Sequence, residues 1–183
     1  GGLHSNLSSC ETFDGIEWKR SSPLNVSRHA LTITSIENKI YAIGGWVDGT
    51  LCSNVVEVLD TNLESPQWKL LPSLQLSRRL HGATSFYSKL YVFGGSCDDP
   101  HWHTNTAEVF DTLTDSTWSI LPTTLPASGS TSAVTIYPFI YVFLHGKYVC
   151  RYDPEFDNYT KLSNLPVYDW HCFDVKTISP IIL

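Results

Sequence analysis

One feature restricts what this chain can fold into more than any other: it aligns on itself at a spacing of fifty residues. The segment IYAIGG (Ile40 to Gly45) recurs as LYVFGG (Leu90 to Gly95) and, altered, as IYVFLHG (Ile140 to Gly146). Tyr41, Tyr91 and Tyr141 are fifty residues apart, and so are Trp18, Trp68 and Trp118, with Tyr159 in the tryptophan's place in the last unit. Between these marks stand ETFD, EVLD, EVFD and CRYD, ending at Asp14, Asp60, Asp111 and Asp153. Each unit then closes on a proline: Pro23, Pro72, Pro122 or Pro166. A repeat of this length is a supersecondary unit that buries its apolar face only against its neighbours.

Each unit reads as four short strands, a to d. In the second, His29 to Ile36 forms strand a, Glu37-Asn38-Lys39 the turn, and Ile40 to Gly44 the apolar strand b. Val55 to Asp60 forms strand c, and QWKLL around Trp68 forms strand d. No segment carries a capped apolar period of 3.6 residues, so no helix is predicted. The glycine pairs Gly44-Gly45 and Gly94-Gly95 suit tight turns where backbones crowd. The tyrosines and tryptophans suit stacking within or between sheets. All of these are expected to be structural residues.

Composition narrows the functional classes. The net charge is −6 and basic residues are scattered, so the stripe that a nucleic-acid surface requires is missing. No apolar run reaches membrane-spanning length. Five widely spaced cysteines without a CxxC suit reduced thiols, and no basic segment leads into an apolar run at the N-terminus. A cytoplasmic location, in the cytosol or on the cytoskeleton, is the expectation.

The order of arginine, apolar strand, Tyr, Gly-Gly, Glu-x-x-Asp and Trp resembles the kelch repeat, over nearly the whole chain. Leu144-His145 departs from the Gly-Gly pattern in the unit of Tyr141. The resemblance implies an all-β propeller of four-stranded antiparallel blades. The expected divisions are 1–24 (end of a blade), 25–74, 75–124 and 125–165 (a blade each), and 166–183 (first strands of a further or closing blade). TISPIIL (Thr177 to Leu183) aligns with TIYPFIY (Thr135 to Tyr141). Two arrangements stay open: the two ends complete one mixed blade and close a ring of four, or the units form part of a larger propeller. The second is favoured, with about six blades.

Function in such a fold is grafted onto loops. The resemblance implies that the loops between strands b and c, and from d to the next a, form the partner face. Thirteen residues before the strand-b tyrosine stands Arg28 in one unit and Arg78 in the next; the same count gives Ser128, and Trp170 before the aligned Leu183. Such a ring would offer hot-spot residue types, with two guanidiniums able to hold an acidic peptide. The alternative is that the arginines tie blades together through buried carbonyls or carboxylates. Arg79 is expected to point away from this site. Trp46, directly after Gly-Gly, is either an exposed anchor or folded onto its blade. The loop CDDPHWH adds His101 and Trp102; its Cys, Asp and His residues match no zinc spacing.

No nucleophile elbow, Gly-rich phosphate loop or HExxH occurs. No residue set fits the copper constellation of galactose oxidase, the enzyme whose propeller is similar to kelch repeats. Neither enzyme activity nor a cofactor is expected. The resemblance is strongest to the kelch domains of BTB-kelch proteins, which implies a substrate-recognition propeller of an adaptor for a cullin-RING ubiquitin ligase. In that case cullin contact would run only through BTB and BACK domains outside this chain. The alternative is an actin-binding or scaffolding kelch protein.

Overall fold

The computed structural model describes residues 7–47, 51–96, 103–114, 116–145, 148–162 and 164, and every element in it is a strand. In chain order they are β1 (Cys10–Phe13), β2 (Trp18–Ser21), β3 (Thr32–Ile36), β4 (Lys39–Ile43), β5 (Trp46–Val47), β6 (Leu51–Cys52), β7 (Val56–Asp60) and β8 (Lys69–Leu71). They continue with β9 (Gly82–Phe86), β10 (Lys89–Phe93), β11 (Ala107–Asp111), β12 (Ser119–Ile120), β13 (Thr131–Ile136), β14 (Phe139–Leu144), β15 (Tyr148–Asp153) and β16 (Asn158–Lys161). Three four-stranded antiparallel meanders result: β3-β4-β7-β8, β9-β10-β11-β12 and β13-β14-β15-β16. The hairpin β1-β2 supplies strands c and d of a preceding unit, and β5-β6 is a small hairpin inside a b–c loop.

The period fixes register. Tyr41 pairs with Thr34 and Val58, Tyr91 with Thr84 and Val109, and Tyr141 with Val134 and Arg151. Three tyrosines fifty apart thus hold one structural position. Tyr41 and Tyr91 are buried, and Tyr141 is half-buried.

The cores lie between sheets. Tyr41, Ile43 and Val56 of one blade pack on Leu74, Leu90, Val92, Phe110 and Trp118 of the next. Tyr91, Phe93 and Ala107 pack in the same way on Leu125, Ile140, Val142, Leu144 and Tyr152. Trp68 and Trp118 are buried, and their indole N–H groups donate to the carbonyls of Ser22 (3.1 Å) and Pro72 (2.9 Å), at the exit of the preceding blade. Tyr159 joins the second of these cores, 4.8 Å from the Tyr152 ring. Trp18 is instead 68% exposed and packs on Phe13 of its own hairpin; among the described residues no blade covers its outer face. The first strands lie side by side, β3 against β9 and β9 against β13. They are tied by Thr32 Oγ1 to His81 O (2.7 Å) and by Gly82 N to Thr131 Oγ1 (2.6 Å).

Gly44 shows why the glycine pair is required. Its φ is +58°, and a Cβ there would stand 2.6 Å from the Arg78 carbonyl of the next blade. Gly94 repeats this with φ +59° and Thr131 Cγ2 at 2.6 Å. Where Leu144-His145 replaces the pair, β14 runs on to Leu144, which pairs with Thr131 and Tyr148.

Candidate partner-binding face

The loops entering each blade at residues 25–28 and 75–78 are stapled to strand c by a buried ion pair. Arg28 Nη1 bonds Glu57 Oε1, and Nη2 donates to Ala42 O at 3.2 Å. Glu57 also accepts Asn25 N (2.8 Å) and Asn25 Nδ2 (2.7 Å). Arg78 Nη2 stands 2.8 Å from Glu108 Oε1, and Nη1 donates to Gly94 O at 2.8 Å. Glu108 in turn accepts Gln75 N (2.7 Å) and Leu76 N (3.1 Å). All four charged side chains are 0% exposed. Burial works to raise the Glu57 carboxyl, but hydrogen bonds from Arg28 and Asn25 and the Arg28 charge outweigh it and hold it low.

The expectation that Arg28 and Arg78 hold a partner is therefore corrected. A guanidinium with no exposed surface and a carboxylate at hydrogen-bond distance reaches nothing outside, and withdrawing it would strand a buried charge. Buried carbonyls and a carboxylate do hold them, but these belong to the arginine's own blade, so each arginine fastens its entry loop to its own sheet and does not tie two blades together.

Ser128 is displaced as well. The amides of Leu24, Leu74 and Leu125 donate to Ser8, Asn54 and Asn105 at corresponding places. Four residues on from these leucines stand Arg28, Arg78 and Gly129. Gly95 N donates to Gly129 O at 2.9 Å, as Gly45 N donates to Arg78 O at 2.9 Å. The entry loop of the β13–β16 blade is one residue shorter, so counting back from Tyr141 lands beside the equivalent position; Ser128 itself is exposed. On strand c, Cys150 faces Val142 as Glu57 faces Ala42 and Glu108 faces Val92. Gly129 and Cys150 thus replace arginine and glutamate together. The Cys150 thiol is pushed up to about 12 by burial.

The residue that does reach the loop rim is Arg79. Its Cζ lies 3.3 Å from the centroid of the Trp46 ring, which stacks on His29 at 5.7 Å and 16°. His29, Trp46 and Arg79 are all half-buried. Backbone bridges hold the stack: His29 and Trp46 exchange hydrogen bonds (3.0 and 2.7 Å), and so do Arg79 and Ser96 (3.0 and 2.8 Å). The stack crosses a blade boundary, since Trp46 belongs to the blade of β3–β8 and Arg79 leads into β9. Trp46 is therefore neither a free anchor nor turned onto its own sheet alone. Beside it, Ser96 Oγ lies 3.1 Å from His103 Nδ1, and His103 is exposed. His101, Trp102 and Trp170 lie outside the described residues. Among the described residues no His, Cys, Asp and Glu side chains cluster as a metal site would require.

His81, at the start of β9, is 3% exposed, and neither ring nitrogen has a hydrogen-bond partner of ordinary geometry. Burial pushes its imidazole down to about 3; the Arg78 charge adds to this, and the Ile43 and Arg78 carbonyls oppose it.

Sheets packed face to face around adjoining first strands, with loop residues from successive sheets meeting at one rim, define a repeat propeller scaffold. The chain belongs to the kelch-repeat family: the family model for the kelch motif matches residues 27–75 and 77–124, more than half of the 183 residues. Kelch repeats are generally protein-interaction modules and typically non-catalytic. No curated protein matches the chain. Among the described residues no helix is long and apolar enough to cross a membrane.

Proposed function

We propose that this chain is the partner-recognition part of a kelch protein, and that the partner seats on the rim of b–c and d–a loops around Trp46, His29 and Arg79. The observation that supports this most is the cross-blade stack of Arg79 on Trp46. A large aromatic and a guanidinium, already ordered by packing, lose little conformational freedom on binding, and both are hot-spot types. The guanidinium suits an acidic residue on the partner. The sequence expectation adds His101, Trp102 and Trp170 to this surface; all three lie outside the described residues. The finer reading is a cytoplasmic substrate-recognition propeller of a cullin-RING ligase adaptor, with the ligase held by domains outside this chain.

Proximity labelling in cells with the full-length parent protein tests it, comparing wild type with the Trp46→Ala/Arg79→Ala variant. The reading expects labelled partners to be lost in the variant while cullin labelling is kept. Unchanged labelling by a folded variant overturns the rim assignment. Labelling of actin without a cullin overturns the adaptor reading and favours the cytoskeletal one.

A further inference from the structure

At the opposite end of the strands from that rim, the β9–β10, β13–β14 and β15–β16 turns enclose a cleft of about 550 Å³. That volume lies within the range of small ligand pockets. Its walls are aromatic. Phe86 stacks on Tyr137 at 5.9 Å and 16°, and Tyr87 meets the two rings edge-on at 4.9 and 5.7 Å. Tyr87, Tyr137 and Phe156 are 69%, 68% and 73% exposed, so together they present an apolar patch to solvent. Tyr87 moreover holds a bulky ring at φ +52°, a region that favours Gly and Asn. The corresponding turn residue one blade earlier is Glu37, at φ +51°. The aromatic lining is thus particular to the junction of the β9–β12 and β13–β16 blades.

We propose that this cleft binds a proline-rich peptide in the polyproline II conformation, with a basic residue beside the prolines. The exposed faces and edges of Tyr87, Tyr137 and Phe156 offer packing surface to prolyl rings, and a polyproline II segment has little freedom to lose and leaves its carbonyls free for donors. Tyrosine hydroxyls are such donors. The charge on the walls selects the flanking residue. Among the charged residues lining the cleft, the carboxylates Asp153 and Glu155 outnumber Lys89, which stands opposite Asp111 in the ladder. A basic side chain complements these two carboxylates; an anionic membrane surface does not.

Fluorescence polarisation of the full chain with a labelled Arg-Pro-Leu-Pro-Pro-Leu-Pro peptide provides the test. Saturable binding is expected, weakened about tenfold or more by Tyr137→Ser or Phe156→Ser, both exposed positions that spare the core. Asp153→Asn with Glu155→Gln should remove the preference for this peptide over one with Glu in place of Arg. No saturation at about 1 mM peptide overturns the proposal. So does equal binding of an alanine-for-proline peptide, or wild-type affinity in both serine variants. Self-association of the chain lost in Phe156→Ser, without peptide binding, would assign the cleft to a second copy and overturn it too.

Discussion

Arg78 Nη2 and Glu108 Oε1 meet at 2.8 Å with neither side chain exposed, and the next blade has lost both partners at once, to Gly129 and Cys150. The joint replacement follows from electrostatics, because a lone buried charge costs more than the pair contributes. Glu108→Ala should therefore destabilise the protein by about 3–5 kcal/mol in urea unfolding. Arg78→Met/Glu108→Leu should cost less than the sum of the two single changes. Full recovery is not expected, because Gln75 N and Leu76 N lose their acceptor. Additive single effects would contradict the coupling.

His81 predicts a pH dependence. Its folded pKa, about 3, lies below the ordinary 6.5, so the unfolded chain binds the extra proton between these values. Stability from the neutral imidazole is complete above about 6.5 and falls as pH drops toward 3. The loss is on the order of 5 kcal/mol at most. Glu57, held low in the folded state, adds to the acid sensitivity through its own protonation. His81→Leu, the residue found as Leu31 one blade earlier, should flatten the stability curve between pH 4 and pH 7 as read by chemical denaturation. An unchanged slope would contradict the account of His81.

Much of this was legible in the sequence and some was not. The period placed Tyr41, Tyr91 and Tyr141 at one register position, because a meander of fixed strand lengths returns the same residue to the same site. It put Trp68 and Trp118 at matching places for the same reason, although each stands directly before its fourth strand, β8 or β12, and not inside it. Counting failed at Ser128, where a d–a loop shortened by one residue breaks a periodicity that only strands enforce. The burial of Arg28 and Arg78 was foreshadowed by Glu57 and Glu108 at matching places and by Cys150 where the glutamate is missing. Arg79 was not legible, because an isolated bridge to Ser96 rather than strand alternation sets its direction.

Glycine substitutions should separate strain from collision. Gly15 has φ +98° with nothing within 4 Å of an added Cβ, so Gly15→Ala should cost about 1–2 kcal/mol. Gly44→Ala adds a 2.6 Å approach to the Arg78 backbone carbonyl and should cost clearly more or prevent folding. Thermal melts of the two variants give the comparison.

The tryptophans should differ although their motif positions match. Trp118→Ala removes a fully buried ring and its bond to Pro72, at about 3–5 kcal/mol. Trp18→Ala, at an exposed ring, should stay below about 1 kcal/mol. Equal losses in denaturant titrations would contradict the placement of the cores between blades.

The most direct test compares two adjacent residues, Arg78→Met with Arg79→Met, measuring unfolding free energy and partner recovery on the same preparations. Arg78→Met should lose several kcal/mol, since it strands Glu108. Arg79→Met should keep near wild-type stability and lose the partner. Partner loss in a stable Arg78→Met, with full binding by Arg79→Met, would contradict the assignment of one arginine to the scaffold and the other to the rim.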